Sequence, residues 1–370
     1  MDETGFRILD VLSRGLGSPV SINELTGKIR ELHKTAHYKN IYDRIHELEK
    51  QGIIELDRIG KSSISTLNFN DYRTTGKMAE MELEKERRVL ENKTWMQMLL
   101  GDMRQCFHGF CINSISIISP EKNIRLNRAE FLFILYEPPN RMEEVHGTKQ
   151  GRETEHDRKA DMANDIIGIH SVMQSLERNH NMKLDCLVLK GMDFLSLLKE
   201  SQDNPLKAML SDQIAFFHPH DYWIELKKAI MKGVRIESGE EINPAKTPEQ
   251  DLAYNLSRFG YKEMGSKIRQ GNDICLEYII TSVLIGEDAR RTEAVPALMA
   301  KNKPRYGLLL FLCKKYNKLG KLFGLLKAMN KIEKTAEAEN AINMMKRLKV
   351  KEEKADEKAV MQKMGLYHAT

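Results

Sequence analysis

Three clusters in this chain combine residue types that could do chemistry. Cys106-x-His108-x-x-Cys111 offers two thiols and an imidazole, the donor types that hold zinc. The spacing is unhelpful and no second cluster completes a ligand set, so buried thiols are expected and no metal is assigned. His218-Pro219-His220-Asp221 packs three potential ligands into four residues. Proline stiffens that turn, and the capped start of a helix near Asp221 explains it better. Arg290 and Arg291 with Glu293 suit either a phosphate site or a structural ion-pair cluster, and the second is the commoner outcome. His170, on an apolar helix, is expected in a core or at its edge. None of these groups implies a cofactor.

Composition bounds the elements that position them. A chain of 370 residues is long enough for two or three domains with proper cores. Charged residues make up 30%, with a net charge of +5 and a pI of about 8.7, a mildly basic balance. The charge is uneven: residues 301–370 hold seventeen Lys or Arg against seven Asp or Glu, a net of +10. Five cysteines, an odd number, are expected as free thiols in a reducing compartment. No apolar run approaches bilayer length, and the acidic, helical N-terminus is unlike a signal peptide. The expectation is a cytoplasmic protein with no membrane partner.

The first seventy or so residues carry the firmest pattern. Phe6, Ile8, Leu9, Val11 and Leu12 give a first helix, which Gly15 and Gly17 end. Ser21 caps a second, with Glu24 as reciprocal partner in a capping box. His37 to Gln51 form a third, with Ile41, Ile45 and Leu48 at helical spacing and Gly52 at its C-terminal end. Ile53–Leu56 and Ser63–Leu67 read as strands, with Gly60-Lys61 at the turn. This order, including the step "HELEKQGIIE", closely resembles a winged helix, whose third helix enters a major groove.

If Ile41, Ile45 and Leu48 face the core, then Tyr38, Lys39, Tyr42, Asp43 and His46 face outward, with Arg44 near the boundary. Arg58, Lys61, Ser62 and Ser63 sit on the wing. Lys39, Arg58 and Lys61 suit phosphates, while Tyr38, Tyr42 and Arg44 suit base edges or sugar. Yet residues 1–73 hold eleven Lys or Arg and eleven Asp or Glu. Such a balance weakens phosphate-driven affinity, and a protein-interaction or dimerisation module is the alternative.

Asp71 to Met103 reads as one long helix, with Met81, Leu83, Val89, Leu90, Met96 and Leu99 on an apolar stripe. It either packs along the next domain or pairs with its copy in a homodimer. Strands follow at Ser114–Ser119, Ala129–Tyr136 and Leu184–Leu189. A turn is expected at Pro120–Asn123, a polar loop at 138–157 and a helix at Asp157–Arg178. Helices at 193–202, 205–210 and 220–232 and a strand at Gln213–Phe217 complete an α/β unit with a mixed sheet.

In spacing, this unit resembles a nucleotidyltransferase domain of the polymerase-β type. That resemblance places Ile118-Ser119 at the phosphate-binding Gly-Ser, Glu130 at the first carboxylate, Leu132 at the second and Asp185 near the third. The family's carboxylates hold two divalent ions against a triphosphate. Here isoleucine replaces the glycine and leucine replaces an essential ligand, so the resemblance implies a vestigial site at Ser119, Glu130 and Asp185 without catalysis. An unrelated β-hairpin is the alternative.

From about Thr247 the chain becomes helical. Leu308–Leu312 with Leu319, Leu322, Leu325 and Leu326 form a core. Lys314, Lys315, Lys318, Lys321 and Lys327 form a basic far face, a candidate second contact with nucleic acid or an acidic protein partner. Alternating Lys and Glu suggest a solvated amphipathic helix over 350–363.

The expected fold class is therefore α+β. It comprises a winged helix (1–73), a linker helix (74–104), a nucleotidyltransferase-like mixed sheet (105–240) and an all-α C-terminal region (247–370). The expected function is nucleic-acid binding, DNA before RNA, as a non-enzymatic regulator. The alternatives are an RNA- or ribosome-associated factor and, less favoured, an active nucleotidyltransferase.

Overall fold

Local signals set the first three helices. The helix α1 (Glu3–Arg14) starts where the Asp2 carboxylate accepts the Gly5 amide at 2.7 Å, and it buries Phe6, Ile8, Leu9 and Leu12. A short strand β1 (Val20–Ser21) leads into α2 (Ile22–His33), capped by Ser21 Oγ, which accepts the Glu24 amide at 3.2 Å. Only half of the expected capping box forms, because the Glu24 carboxylate turns to Lys28 Nζ at 2.8 Å. The next helix, α3 (Tyr38–Lys50), buries Ile41, Ile45 and Leu48 and is closed by Gly52, whose φ is +76°. The Ile53 amide then donates to the Leu48 carbonyl at 2.9 Å, the closure a left-handed glycine permits. The structure, a computed structural model, describes residues 1–60, 62–124, 127–136, 155–236, 241–261 and 270–368.

The strands β2 (Ile54–Ile59) and β3 (Ser62–Leu67) pair antiparallel, Ile54 opposite Leu67 and Ile59 opposite Ser62. β1 adds to the other edge of β3, giving the order β1-β3-β2. Both strands run further towards the tip than the sequence suggests, and Lys61 lies outside the described residues.

The expected single helix over Asp71–Met103 is two helices, α4 (Tyr72–Leu90) and α5 (Thr94–Phe107). They break at Asn92, which takes a left-handed φ of +65°, and the Lys93 amide closes onto the Leu90 carbonyl at 2.9 Å. The two apolar stripes have different destinations: Met78 and Met81 join one core, while Met96, Leu99, Met103 and Phe107 join another. Leu83, expected on the stripe, is exposed.

The central unit is a four-stranded mixed sheet. Its chain order is β4 (Ile112–Ile118), α6 (Pro120–Ile124), β5 (Arg128–Leu135), α7 (Glu155–Asn179) and β6 (Lys183–Lys190). Then come α8 (Gly191–Lys199), α9 (Pro205–Ser211), β7 (Gln213–Phe217) and α10 (Pro219–Ile230). The strand order is β6-β5-β4-β7, with β5 parallel to β6 and β4 antiparallel to both its neighbours. The expected turn at 120–123 is the single-turn α6, and 138–154 of the expected loop lie outside the described residues. Side chains alternate across the strands. Phe131, Phe133, Leu184 and Cys186 meet α5 and α7, while Leu132, Ile134, Leu187 and Leu189 face the other way.

On that second face α8 and α14 (Tyr306–Lys315) pack against β6, and the other C-terminal helices build out from α14: α11 (Glu249–Arg258), α12 (Leu276–Gly286), α13 (Ala289–Asn302), α15 (Leu319–Ile332), α16 (Ala336–Arg347) and α17 (Glu357–His368). The expected solvated helix over 350–363 is instead an extended strap followed by α17. The strap lies on α15, where the Glu353 amide donates to the Gly320 carbonyl at 3.0 Å and a side chain at Gly324 would overlap the Glu353 carbonyl. The helix α17 buries Val360 and Met364. One apolar cluster runs unbroken from Phe6 through Leu132, Trp223 and Leu308 to Met364, so the N-terminal module shares its core with the rest. Among the described residues no helix is long and apolar enough to cross a membrane.

A candidate nucleic-acid interface and a buried carboxylate pair

The outer face of α3 carries an aromatic ladder. Tyr38 and Tyr42 are 47% and 40% exposed, large values for rings of that size on a helix. Their centroids lie 6.0 Å apart, and Tyr42 meets His46 edge-on at 4.5 Å. Lys39 and Asp43 are exposed beside them, and Arg58 and Ser62 are exposed on the ribbon. The residues assigned outward by helical spacing therefore do face solvent. No side chain caps the start of α3, since His37 makes no capping bond.

Two residues of this face are already engaged in ion pairs. Arg44, expected at base edges, is largely covered and held by two carboxylates: Asp2 Oδ2 at 3.2 Å from Nε and Glu47 Oε2 at 2.5 Å from Nη1. It ties α3 to the start of α1. His46 is likewise engaged, its Nδ1 lying 3.0 Å from Glu49 Oε2. The free contacts that remain are Tyr38, Tyr42, Lys39, Arg58 and Ser62.

The second site is deep in the central sheet. Parallel pairing of β5 with β6 sets Glu130 opposite Asp185, and β4 sets Ile118 opposite Glu130. Ser119 follows at once in a left-handed conformation, φ +41°, its amide donating to the Asp212 carbonyl at 2.7 Å. So Ser119, Glu130 and Asp185, far apart in sequence, converge on one sheet face. Ser119 and Glu130 line a cavity of about 620 Å³ with Arg128, Lys315, Glu241 and Tyr316. Glu130 is 4% exposed and Asp185 fully buried.

Protein cations occupy the surroundings of these carboxylates. Arg128 Nη2 lies 2.7 Å from Asp185 Oδ2 and 3.3 Å from Glu130 Oε1. Lys315 Nζ donates to Glu130 Oε2 at 2.8 Å and also to Glu241. Lys314 Nζ donates to the Leu184 carbonyl at 2.6 Å and stands 3.8 Å from both Asp185 and Glu177. Burial works against the charge of Lys315, but Glu130 and Glu241 outweigh it and raise its pKa. Glu241 feels the reciprocal effect: burial opposes ionisation, and Lys315 nonetheless holds its carboxyl below the usual range.

This network revises the basic C-terminal face. Lys314 and Lys315 point into the sheet, Lys318 pairs with Glu287 at 3.0 Å, and Lys321 donates to the Leu284 carbonyl at 3.4 Å. Lys327 is paired too, with Glu352 at 2.5 Å. The five lysines of this face are all engaged within the fold, Lys314 and Lys315 at the sheet and Lys318, Lys321 and Lys327 in part-exposed contacts between helices and the strap. Sequence reasoning found the carboxylates but missed Arg128 and Glu241. Arg128 had a local signal, since it lies two residues before Glu130 on the same strand and so on the same face.

The other candidate clusters resolve simply. Cys106 and Cys111 are exposed rather than buried as expected, because the end of α5 and the turn after it leave both thiols at the surface, and no group of metal-ligating residues occurs among the described residues. His218 takes a left-handed φ of +49° before Pro219, which opens α10, with Asp221 in its first turn. Arg291 bridges Glu249 and Asp288 as a structural ion-pair cluster. His170 Nδ1 lies 3.4 Å from the Cys186 thiol, but burial pushes the imidazole down to about 4 and the thiol up to about 12. That is a neutral pair, not a thiolate nucleophile with its base. No family model matches this chain, and no curated protein or solved structure shows significant similarity to it.

Proposed function

We propose that this chain is a nucleic-acid-binding regulator whose N-terminal module is a winged helix that docks α3 in the major groove of duplex DNA. The observation that carries the reading is the exposed Tyr38–Tyr42 ladder on α3, beside a ribbon that presents Arg58 and Ser62. Two large rings held in solvent on the outer face of a third helix gain most by covering base edges, thymine methyls or sugars. The order of three helices and a three-stranded antiparallel sheet supports the same reading.

The central unit is, on this proposal, a nucleotidyltransferase-like scaffold without catalysis. Two features support it. A two-metal site needs clustered carboxylates free to bind cations, and here Glu130 and Asp185 are already matched by Arg128, Lys314 and Lys315. Leu132 on the same strand adds an apolar group to the same face.

Fluorescence anisotropy on duplex DNA and on structured RNA, each over a salt series, tests the binding claim. The full-length protein should prefer a particular duplex, and a preference for RNA would overturn the DNA assignment. Incubation with labelled nucleotides and magnesium should give no turnover. Turnover that Glu130→Gln abolishes would overturn the scaffold reading.

A further inference from the structure

We infer that the cleft between the N-terminal module and the sheet is a binding site for a small zwitterion with an apolar body, of amino-acid to dipeptide size. Its volume is about 700 Å³, within the range of small-molecule sites, roughly 300–1,000 Å³. Five stretches build it: one face of α1, the end of α2, the C-terminal part of α4, the start of α6, and the Ser211–Ile214 segment.

Its two walls differ in charge. On the first, the buried Asp10 carboxylate faces Lys85 Nζ at 2.9 Å, His33 Nε2 at 3.2 Å and Arg14 Nη2 at 3.5 Å. Asp10 thus faces three basic side chains, with Glu82 Oε1 a further 3.9 Å from Lys85 Nζ. Arg88, on the same wall, is already paired with Glu3 and Glu84. Arg14, whose side chain is 33% exposed, has its 3.5 Å contact with Asp10 as its one ion pair among the described residues. On the second wall, Glu121 and Asp212 are exposed and make no ion pair among the described residues. Phe6, Leu32, Val89 and Ile214 supply apolar surface between them. A ligand carboxylate at Arg14, an ammonium at Asp212 and an apolar body against Phe6 would satisfy groups that the protein leaves unmatched.

The site also touches the part of the module that sets α3. Leu32 and His33 are the last two positions before the Lys34–His37 turn that delivers the chain to α3. Occupancy should therefore alter duplex affinity, a consequence that rests on the nucleic-acid reading above, whereas binding of the zwitterion does not.

Calorimetric titration of the full-length protein tests the site. The probes are L-leucine, L-phenylalanine and L-leucyl-L-phenylalanine, with 4-methylpentanoate and isoamylamine as controls that each lack one charge. At least one zwitterion should give saturable heat. Removing either ligand charge should weaken binding about tenfold or more, the worth of a charge-assisted hydrogen bond. Arg14→Ala and Asp212→Asn should each do the same, with unliganded melting curves confirming that both variants fold. No saturable heat from any zwitterion at about 10 mM, where even a millimolar site fills, overturns the proposal. So does wild-type affinity in both variants. Anisotropy on duplex DNA with and without the bound zwitterion reads the coupling, expected as a threefold or larger change on the scale of allosteric linkage. Unchanged duplex affinity with the site filled overturns the coupling. Loss of all duplex binding with calorimetric binding intact refutes the nucleic-acid reading and leaves the site standing.

Discussion

The α3 face and the Glu130–Asp185 site are both rich in charge and both close to neutral, yet they stand at opposite ends of solvent exposure. Around α3 the acidic and basic groups lie in water, where ion pairs are worth about 0–1 kcal/mol and exchange partners at little cost. Lys39 or Arg58 can therefore meet a phosphate without breaking anything that holds the fold. Around Glu130 and Asp185 the same chemistry is buried. There each charge depends on its partner, and removing one strands the other in a poorly solvated site. Balanced charge thus means availability on one surface and commitment on the other. The exposed region is suited to binding, the buried one to holding the sheet, the 241–247 segment and α14 together.

The sharpest way to break this contrast is Lys315→Met. The ammonium serves Glu130 and Glu241 at once, so its loss should destabilise the protein by about 3–5 kcal/mol, the cost of orphaning buried charge. Urea unfolding measures it. A loss under about 1 kcal/mol would show the network to be as dispensable as a surface pair.

Buried titratable groups on both faces of the sheet should also make the protein acid-sensitive. The folded pKa of Glu241 is depressed, so its contribution is complete above the unfolded carboxylate value and is lost as pH falls through the lowered one. The folded pKa of His170 is depressed by burial, to about 4 from 6.5. The native state then binds fewer protons than the unfolded chain, so this contribution is full above 6.5 and declines between 6.5 and 4. One proton gives a slope of at most about 1.4 kcal/mol per pH unit. Stability measured across that window should fall towards acid, and His170→Gln should flatten the fall. An equally steep fall in the variant would place the acid sensitivity elsewhere.

Tyr42→Ala addresses the exposed region. The ring makes few contacts that the fold needs, so the melting temperature should barely move while duplex affinity drops by about 1–3 kcal/mol, the usual worth of a base-reading side chain. Anisotropy reads the affinity. Unchanged binding would remove the aromatic ladder from the interface. Arg44→Ala should show the reverse pattern, lowering stability through lost contact with Asp2 and Glu47 while leaving sequence preference intact.

The two regions also differed in how legible they were from sequence. The α3 face could be read because its determinants are local: Ile41, Ile45 and Leu48 at helical spacing fix which residues point outward, and Tyr38 and Tyr42 follow. Periodicity puts Arg44 at the boundary of that face, but its ion pair with Asp2, the cap of α1, is invisible to periodicity. Positions 119, 130 and 185 stand out in the sequence only through the resemblance to a nucleotidyltransferase, and strand pairing brings them close together. Their neutralisation was not legible, since Lys314 and Lys315 come from a helix some 130 residues further on and look like a solvated basic stripe. The break at Asn92 escaped for a related reason. Helix-forming residues surround it, and the bend is imposed by two cores that the flanking stripes must reach separately.

The smallest predicted effect separates positioning from reading. Lys39 is exposed on the first turn of α3, so it suits a phosphate but not the discrimination of bases. Lys39→Ala should weaken every duplex by a similar factor and lower the slope of log affinity against log salt by about one ion. Lys315→Met, if its structure is retained at low temperature, should leave that slope unchanged, because its charge is spent inside the protein. A slope that responds to Lys315 and not to Lys39 would invert the assignment of the two regions, moving the nucleic acid from the α3 face to the sheet cavity.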